Sequence, residues 1–186
     1  RTRYVKVFEK RIRERFPEAD ITVTTVAVGG SHSRQWLYPD RFPPRNHWQE
    51  QCSWDRVAEA EPDLVTLEFV NDASLQTPEQ FDPVYEDILS RVRALGAELL
   101  LITPHFTRPA MMGFDGLRGK ESRGYVLNLR RFAEENDLAL ADASARWEHL
   151  WKEGLPYVTL LRNGMNHPDD RGHALFADEM MKCFQE

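Results

Sequence analysis

Only two cysteines occur in 186 residues, Cys52 and Cys183, and they form no CxxC pair. That excludes a disulfide framework and a thiolate-rich metal site. Buried free thiols are the expected state, with a single bridge as the alternative. No apolar run approaches the length of a membrane span, so no membrane partner is expected. Basic excess is lacking too: the formal net charge is −6. Nucleic-acid binding needs a basic face to neutralise phosphates, so that partner class is excluded. The basic residues from Arg1 to Arg15 alternate with apolar ones and read as a solvated helix face. The glycine pair Gly29-Gly30 is no GxGxxG fingerprint, which disfavours a dinucleotide site.

What is present is ordinary for a globular domain: 41% hydrophobic and 29% charged residues. Residues 1–186 are read as one domain. Composition fixes neither compartment nor oligomeric state.

Apolar periodicity alternates between two rules along the chain. "YVKVFEKRIRERF" carries Val5, Phe8, Ile12 and Phe16 at helical spacing. "ITVTTVAVGG" is β-branched and reads as a strand running into the paired glycines. An irregular region follows, Ser31 to about Trp54, rich in Pro, Arg and Trp. A loop of that length in a compact domain is usually functional or disordered, and its aromatic content favours order. Leu64 to Val70 is the next strand. Thr77 and Gln80 form a capping-box pattern before a helix closed by Gly96. "AELLLITP" is a strand, "HFTRPAMMGFDGLRGKESRG" a loop and "YVLNLRRFAEEND" a helix. "LALADAS" is a strand, "ARWEHLWKEG" a helix or turn, and the last helix begins after Pro168. Strands that are nearly continuous apolar runs have both faces covered. The expected fold is therefore α/β, three-layer α/β/α, with a doubly wound, mostly parallel sheet.

Ligands in such sheets bind at the carboxyl ends of the strands. The polar residues expected there are Gly29, Gly30, Ser31 and His32; Asn71 and Asp72; Thr103 and His105; and Asp142. His167, just before the last helix, joins them.

The segments "AVGGSHSRQ", "LEFVND" and "NHPDDRGHALFA", in that order, resemble three of the sequence blocks of the SGNH/GDSL hydrolases. The resemblance implies an SGNH fold and a serine esterase that cleaves a carboxylic ester through an acyl-serine, without a cofactor. A small acyl group, on a carbohydrate or another small molecule, is the implied substrate. It also implies that Gly30 gives a backbone N–H, and Asn71 a side-chain amide, to an oxyanion hole, with His167 as general base. The chemistry suits these residue types. Neutral N–H donors stabilise charge developing on a carbonyl oxygen, each worth roughly 3 kcal/mol. Histidine takes and returns a proton near neutral pH.

Three departures stand out. The family's serine ends a first strand before the first helix, and this chain opens in that helix. The first strand and the nucleophile are thus expected upstream of Arg1, with Ser31 and Ser33 as substitutes. The family's triad Asp lies three residues before the histidine, where this chain has Gly164; Asn163 and Asp142 are candidates to orient the ring. Phe69 stands where the family often has Gly.

The Trp-rich loop offers a substrate wall, with His32, Trp36, Trp48 and His105 as candidates. Aromatic faces pack against sugar rings; satellite core beneath the loop is the alternative. A metal site from His167, Asp169, Asp170 and His173 is disfavoured, because histidines six apart fall on different helix faces. No metal is expected. A non-catalytic ligand- or carbohydrate-binding module on the same fold remains the alternative function, and a nucleotide binder a third.

Overall fold

The computed structural model describes residues 3–112 and 121–184. In chain order the elements are α1 (Tyr4–Arg15), α2 (Ser33–Leu37), α3 (Asp55–Ala58), β1 (Leu64–Leu67), α4 (Pro78–Ala94) and β2 (Glu98–Ile102). Then come α5 (Pro109–Met112), α6 (Gly124–Glu135), β3 (Ala139–Ala141), α7 (Ala143–Lys152) and α8 (Asp170–Lys182). The three strands form a parallel sheet in the order β1-β2-β3, with Leu64 opposite Glu98 and Leu100 opposite Ala139.

Strand β2 shows why its sequence is apolar throughout. Alternate side chains leave a strand on opposite faces. Leu99 and Leu101 join Phe81, Tyr85, Ile88, Tyr125 and Phe132 from α4 and α6. Leu100 and Ile102 join Phe8, Ile12, Trp147, Phe176 and Met180 from α1, α7 and α8. Helices on both faces of a parallel sheet give the expected α/β layering. Most boundaries fall where the sequence signals lie. Gln80 Oε1 accepts the Thr77 N–H (3.2 Å) at the start of α4, and Gly96 ends it with φ +75°. Asp169 caps α8 by accepting the Gly172 N–H at 2.9 Å.

Two expectations need correction and one lies outside the described residues. Ile21–Val28, read as a strand, pairs with no strand among the described residues. Between it and the free edge of β1 lies a cavity of about 1170 Å³, lined also by Tyr4, Phe8 and Ile12 of α1. Strand propensity is a preference for a pleated, half-buried surface, and it needs a neighbour. The half-exposed Leu64 and Val65 of β1, against the buried Leu99–Ile102 of β2, mark the same gap. The Trp-rich loop is less irregular than its composition suggests. It contains α2 and a 3-10 turn at Gln49–Gln51. Of the loop expected from His105 to Gly124, residues 113–120 lie outside the described part. Both cysteines are free thiols. Among the described residues no helix is long and apolar enough to cross a membrane.

Candidate active site

Gly30, Asn71, Asn163 and His167 all line the cavity that runs along the free edge of β1. Each is held by a separate device. Gly30 adopts φ +79°, a left-handed conformation that glycine alone takes readily. Its carbonyl accepts Gln49 Nε2 at 2.7 Å. Gln49 Oε1 is itself fixed by Gln35 Nε2 (3.0 Å) and the Arg45 N–H (2.7 Å). The Gly30 N–H makes no hydrogen bond among the described residues, so it is free to meet a ligand. The buried Gln35–Gln49 pair went unnoticed in the sequence. Its two members lie fourteen residues apart, with no local pattern linking them.

Asn71 sits in a 3-10 turn, Val70–Asp72, immediately after β1. Its amide donates to Ser31 O at 3.1 Å, tying the second glycine-bearing loop to the end of β1. The adjacent Asp72 completes the clamp. Its buried carboxylate accepts the Ser33 N–H (2.9 Å) and the Tyr85 hydroxyl (2.8 Å). Burial pushes the Asp72 carboxyl up, against those hydrogen bonds. It thus braces the turn, the usual use of an aspartate there.

His167 stands on a hairpin between the 3-10 turn Tyr157–Leu160 and α8. The hairpin is closed by the Arg162 N–H to His167 O (2.8 Å) and the Asp169 N–H to Leu160 O (2.8 Å). It is anchored to the loop after β2 by the Arg108 N–H to Met165 O at 2.7 Å. His105 Nε2 donates to Asn166 O at 2.9 Å, a second anchor. Burial against Trp147 and Phe176 pushes His105 down to about 3, so it stays neutral as a donor.

The candidates for orienting the ring separate cleanly. Asn163 Nδ2 lies 2.9 Å from His167 Nδ1. Asp142 is engaged elsewhere: it caps α7 through the Ala145 N–H, accepts Thr103 Oγ1 (2.8 Å) and pairs with Arg130 (2.8 Å). His167 Nε2 makes no hydrogen bond among the described residues. Of the substitute nucleophiles, Ser31 is engaged in hydrogen bonds and Ser33 Oγ is buried without a hydrogen-bond partner among the described residues. Ser31 Oγ donates to Val28 O (2.8 Å) and accepts Trp36 Nε1–H (3.1 Å), and Ser33 is 1% exposed.

The substrate-wall candidates also part. Trp36 is buried, lines the cavity and donates its indole N–H to Ser31 Oγ, whereas His32, Trp48 and His105 are not among the residues that line it. His105 is a buried strut. His32 packs edge-on against Phe42 (5.6 Å), and burial lowers its pKa. Trp48 is 59% exposed and lies over His47, with ring centroids 4.0 Å apart. It adjoins Gln49, the residue that holds Gly30. His173 packs near Tyr4 (6.2 Å), and its Nδ1 is buried without a partner among the described residues.

A parallel sheet with helices packed on both faces is a three-layer α/β/α architecture, and Gly30, Asn71 and His167 line one cavity beside it. The chain belongs to the GDSL-like lipase/acylhydrolase family, whose model matches residues 1–175. Among solved structures it is similar to Axe2, an acetylxylan esterase from Geobacillus stearothermophilus. The TM-score is 0.73 at 18% identity, over 100% of this chain and 82% of that one. It is similar also to LAE5, an alpha/beta hydrolase enzyme from the metagenome of Lake Arreo, Spain. There the TM-score is 0.66 at 18% identity, over 97% and 80%. A third likeness is to a two-domain esterase, CEX, active on acetylated mannans. The TM-score is 0.69 at 21% identity, over 97% of this chain and 42% of that one. At these identities the likeness shows the fold. No curated protein matches the chain.

Proposed function

We propose that this chain carries the oxyanion hole and general base of a serine esterase that removes a small acyl group, such as acetyl, from a carbohydrate. The observation that carries this reading is the convergence of Gly30, Asn71 and His167 on one cavity. The nucleophile comes from a strand seated between residues 21–28 and β1. A strand there, parallel to β1, ends at the carboxyl edge of the sheet, beside the turn that holds Asn71. A serine at its end would attack the ester carbonyl. Its proton passes to His167, and the negative charge forming on oxygen meets the Gly30 N–H and the Asn71 amide. The histidine returns the proton to the departing sugar hydroxyl. Water then hydrolyses the acyl-serine by the same groups. The acetylated polysaccharides named for Axe2 and CEX support the substrate class.

The test is fluorophosphonate labelling with mass-spectrometric localisation, beside acetate release from acetylated xylo- and manno-oligosaccharides. Label on a serine of the inserted strand is expected, with turnover lost in His167→Ala at unchanged fold. Label on Ser31 or Ser33 would overturn delivery by a strand. Neither label nor acetate release would leave the fold as a carbohydrate-binding module.

A further inference from the structure

The orientation of the Asn163 amide is fixed by its own contacts. Oδ1 accepts three backbone N–H groups, from Met165 (3.0 Å), Asn166 (3.0 Å) and His167 (3.1 Å). Only an oxygen can occupy that position; a flipped amide would face three donors with two more. The nitrogen must therefore face the other way. Nδ2 donates to Asn166 Oδ1 and lies against His167 Nδ1, each at 2.9 Å. Because an amide NH₂ has no acceptor capacity, His167 Nδ1 must be the acceptor. A neutral imidazole with a lone pair on Nδ1 carries its proton on Nε2.

This is the reverse of what a general base needs. A carboxylate at that position accepts Nδ1–H and leaves a lone pair on Nε2 to take the serine proton. We infer that Asn163 is a positioning residue that holds His167 in the Nε2–H tautomer, so that the resting site presents a donor where catalysis needs an acceptor. To act as a base the ring must move its proton to Nδ1. There it meets an N–H donor and loses the Asn163 hydrogen bond. The arrangement keeps turnover low, and a single oxygen-for-nitrogen exchange should release it.

The inference rests on the esterase reading for its rate consequence, but the tautomer is measurable without turnover. Asn163→Asp suits the site: one carboxylate oxygen keeps the three backbone N–H groups and the other accepts Nδ1–H. The Asn166 amide, which has no other side-chain bond among the described residues, turns to donate. The experiment is ¹⁵N NMR of the His167 ring at a pH where it is neutral, on wild type and Asn163→Asp, with kcat and KM on an acetylated oligosaccharide. Wild type should show a proton on Nε2 and a bare Nδ1, and Asn163→Asp the reverse. A gain in kcat of about 10² or more, toward the roughly 10⁴-fold effect of such an exchange in other serine hydrolases, should accompany it with KM little changed. Asn163→Ala, which removes both contacts, should give a mixture of tautomers and no gain. A wild-type ring with Nδ1–H overturns the inference, and so does an inverted tautomer with kcat unchanged. Failure of the esterase reading looks different: no acetate release in any variant, while the NMR still reports which nitrogen carries the proton.

Discussion

At the scale of single residues, the cavity-lining groups are governed by contacts far away in sequence. Gly172 shows this best. A Cβ there would lie 2.9 Å from Pro168 Cβ, 3.1 Å from Leu160 O and 3.3 Å from Trp147 Cζ2. The first turn of α8 is thus pressed against the residue that follows His167. Gly172→Ala should destabilise the protein by about 1–3 kcal/mol through overpacking, measured by urea unfolding. It should also shift the His167 resonances, because Pro168 must give way; unchanged stability and resonances would show the helix free to move instead. Gly30, Asn71 and His167 were legible in the sequence because each lies in a block whose order carries the signal. His105 was legible only as a strand-end residue. Its contact, the Asn166 carbonyl, is 61 residues away and leaves no mark on local pattern. Between Asn163 and Asp142, the one four residues before His167 proves to lie against its ring, while Asp142 is taken up by Thr103 and Arg130, contacts that leave no mark on local pattern.

At the scale of elements, the legible ones bring their own partners. Helices α4 and α6 have amphipathic patterns and caps, and β2 lies between two strands, so local pattern and tertiary surroundings agree. Ile21–Val28 has strand composition without a paired neighbour, and composition says nothing about pairing. Its amides define a measurement. Among the described residues none of the N–H groups from Thr22 to Ala27 donates to a backbone carbonyl, whereas β2 is bonded to strands on both sides. Hydrogen exchange of this chain should show residues 22–27 nearly unprotected and residues 98–102 strongly protected. A strand entering the cavity should protect residues 22–27 and the free edge of β1 together. Strong protection of residues 22–27 without any such strand would mean that the gap closes on itself.

At the scale of the whole molecule, the half-buried Glu68 and the buried His105 pull the pH dependence of stability in opposite directions. Glu68 lines the cavity, and its Oε1 is buried with no hydrogen-bond partner among the described residues. Burial, then the neighbouring Asp72 carboxylate, push it up to about 7 from 4.5. An acid with a raised folded pKa binds its proton more tightly when folded. Its contribution is therefore full below about 4.5 and lost as pH rises through 7, at most about 3 kcal/mol. His105 is lowered from 6.5 to about 3 by burial. Its folded form resists the proton, so its contribution is full above 6.5 and lost as pH falls toward 3, at most about 5 kcal/mol. Between about 4.5 and 6.5 the two slopes oppose each other, so each group flattens the dependence the other imposes. Below that window only the loss remains. Glu121, which burial raises but Arg123 lowers further, adds to the loss there. Glu68→Gln removes one arm, so stability should rise steadily with pH from 3 to 6.5. His105→Gln, which keeps a donor for Asn166 O, removes the other, so stability should fall from pH 4.5 to 7. Urea midpoints at half-unit pH steps for the three proteins decide it. Parallel curves would show that Glu68 reaches water through the cavity, since a carboxylate solvated there has no reason to hold its proton.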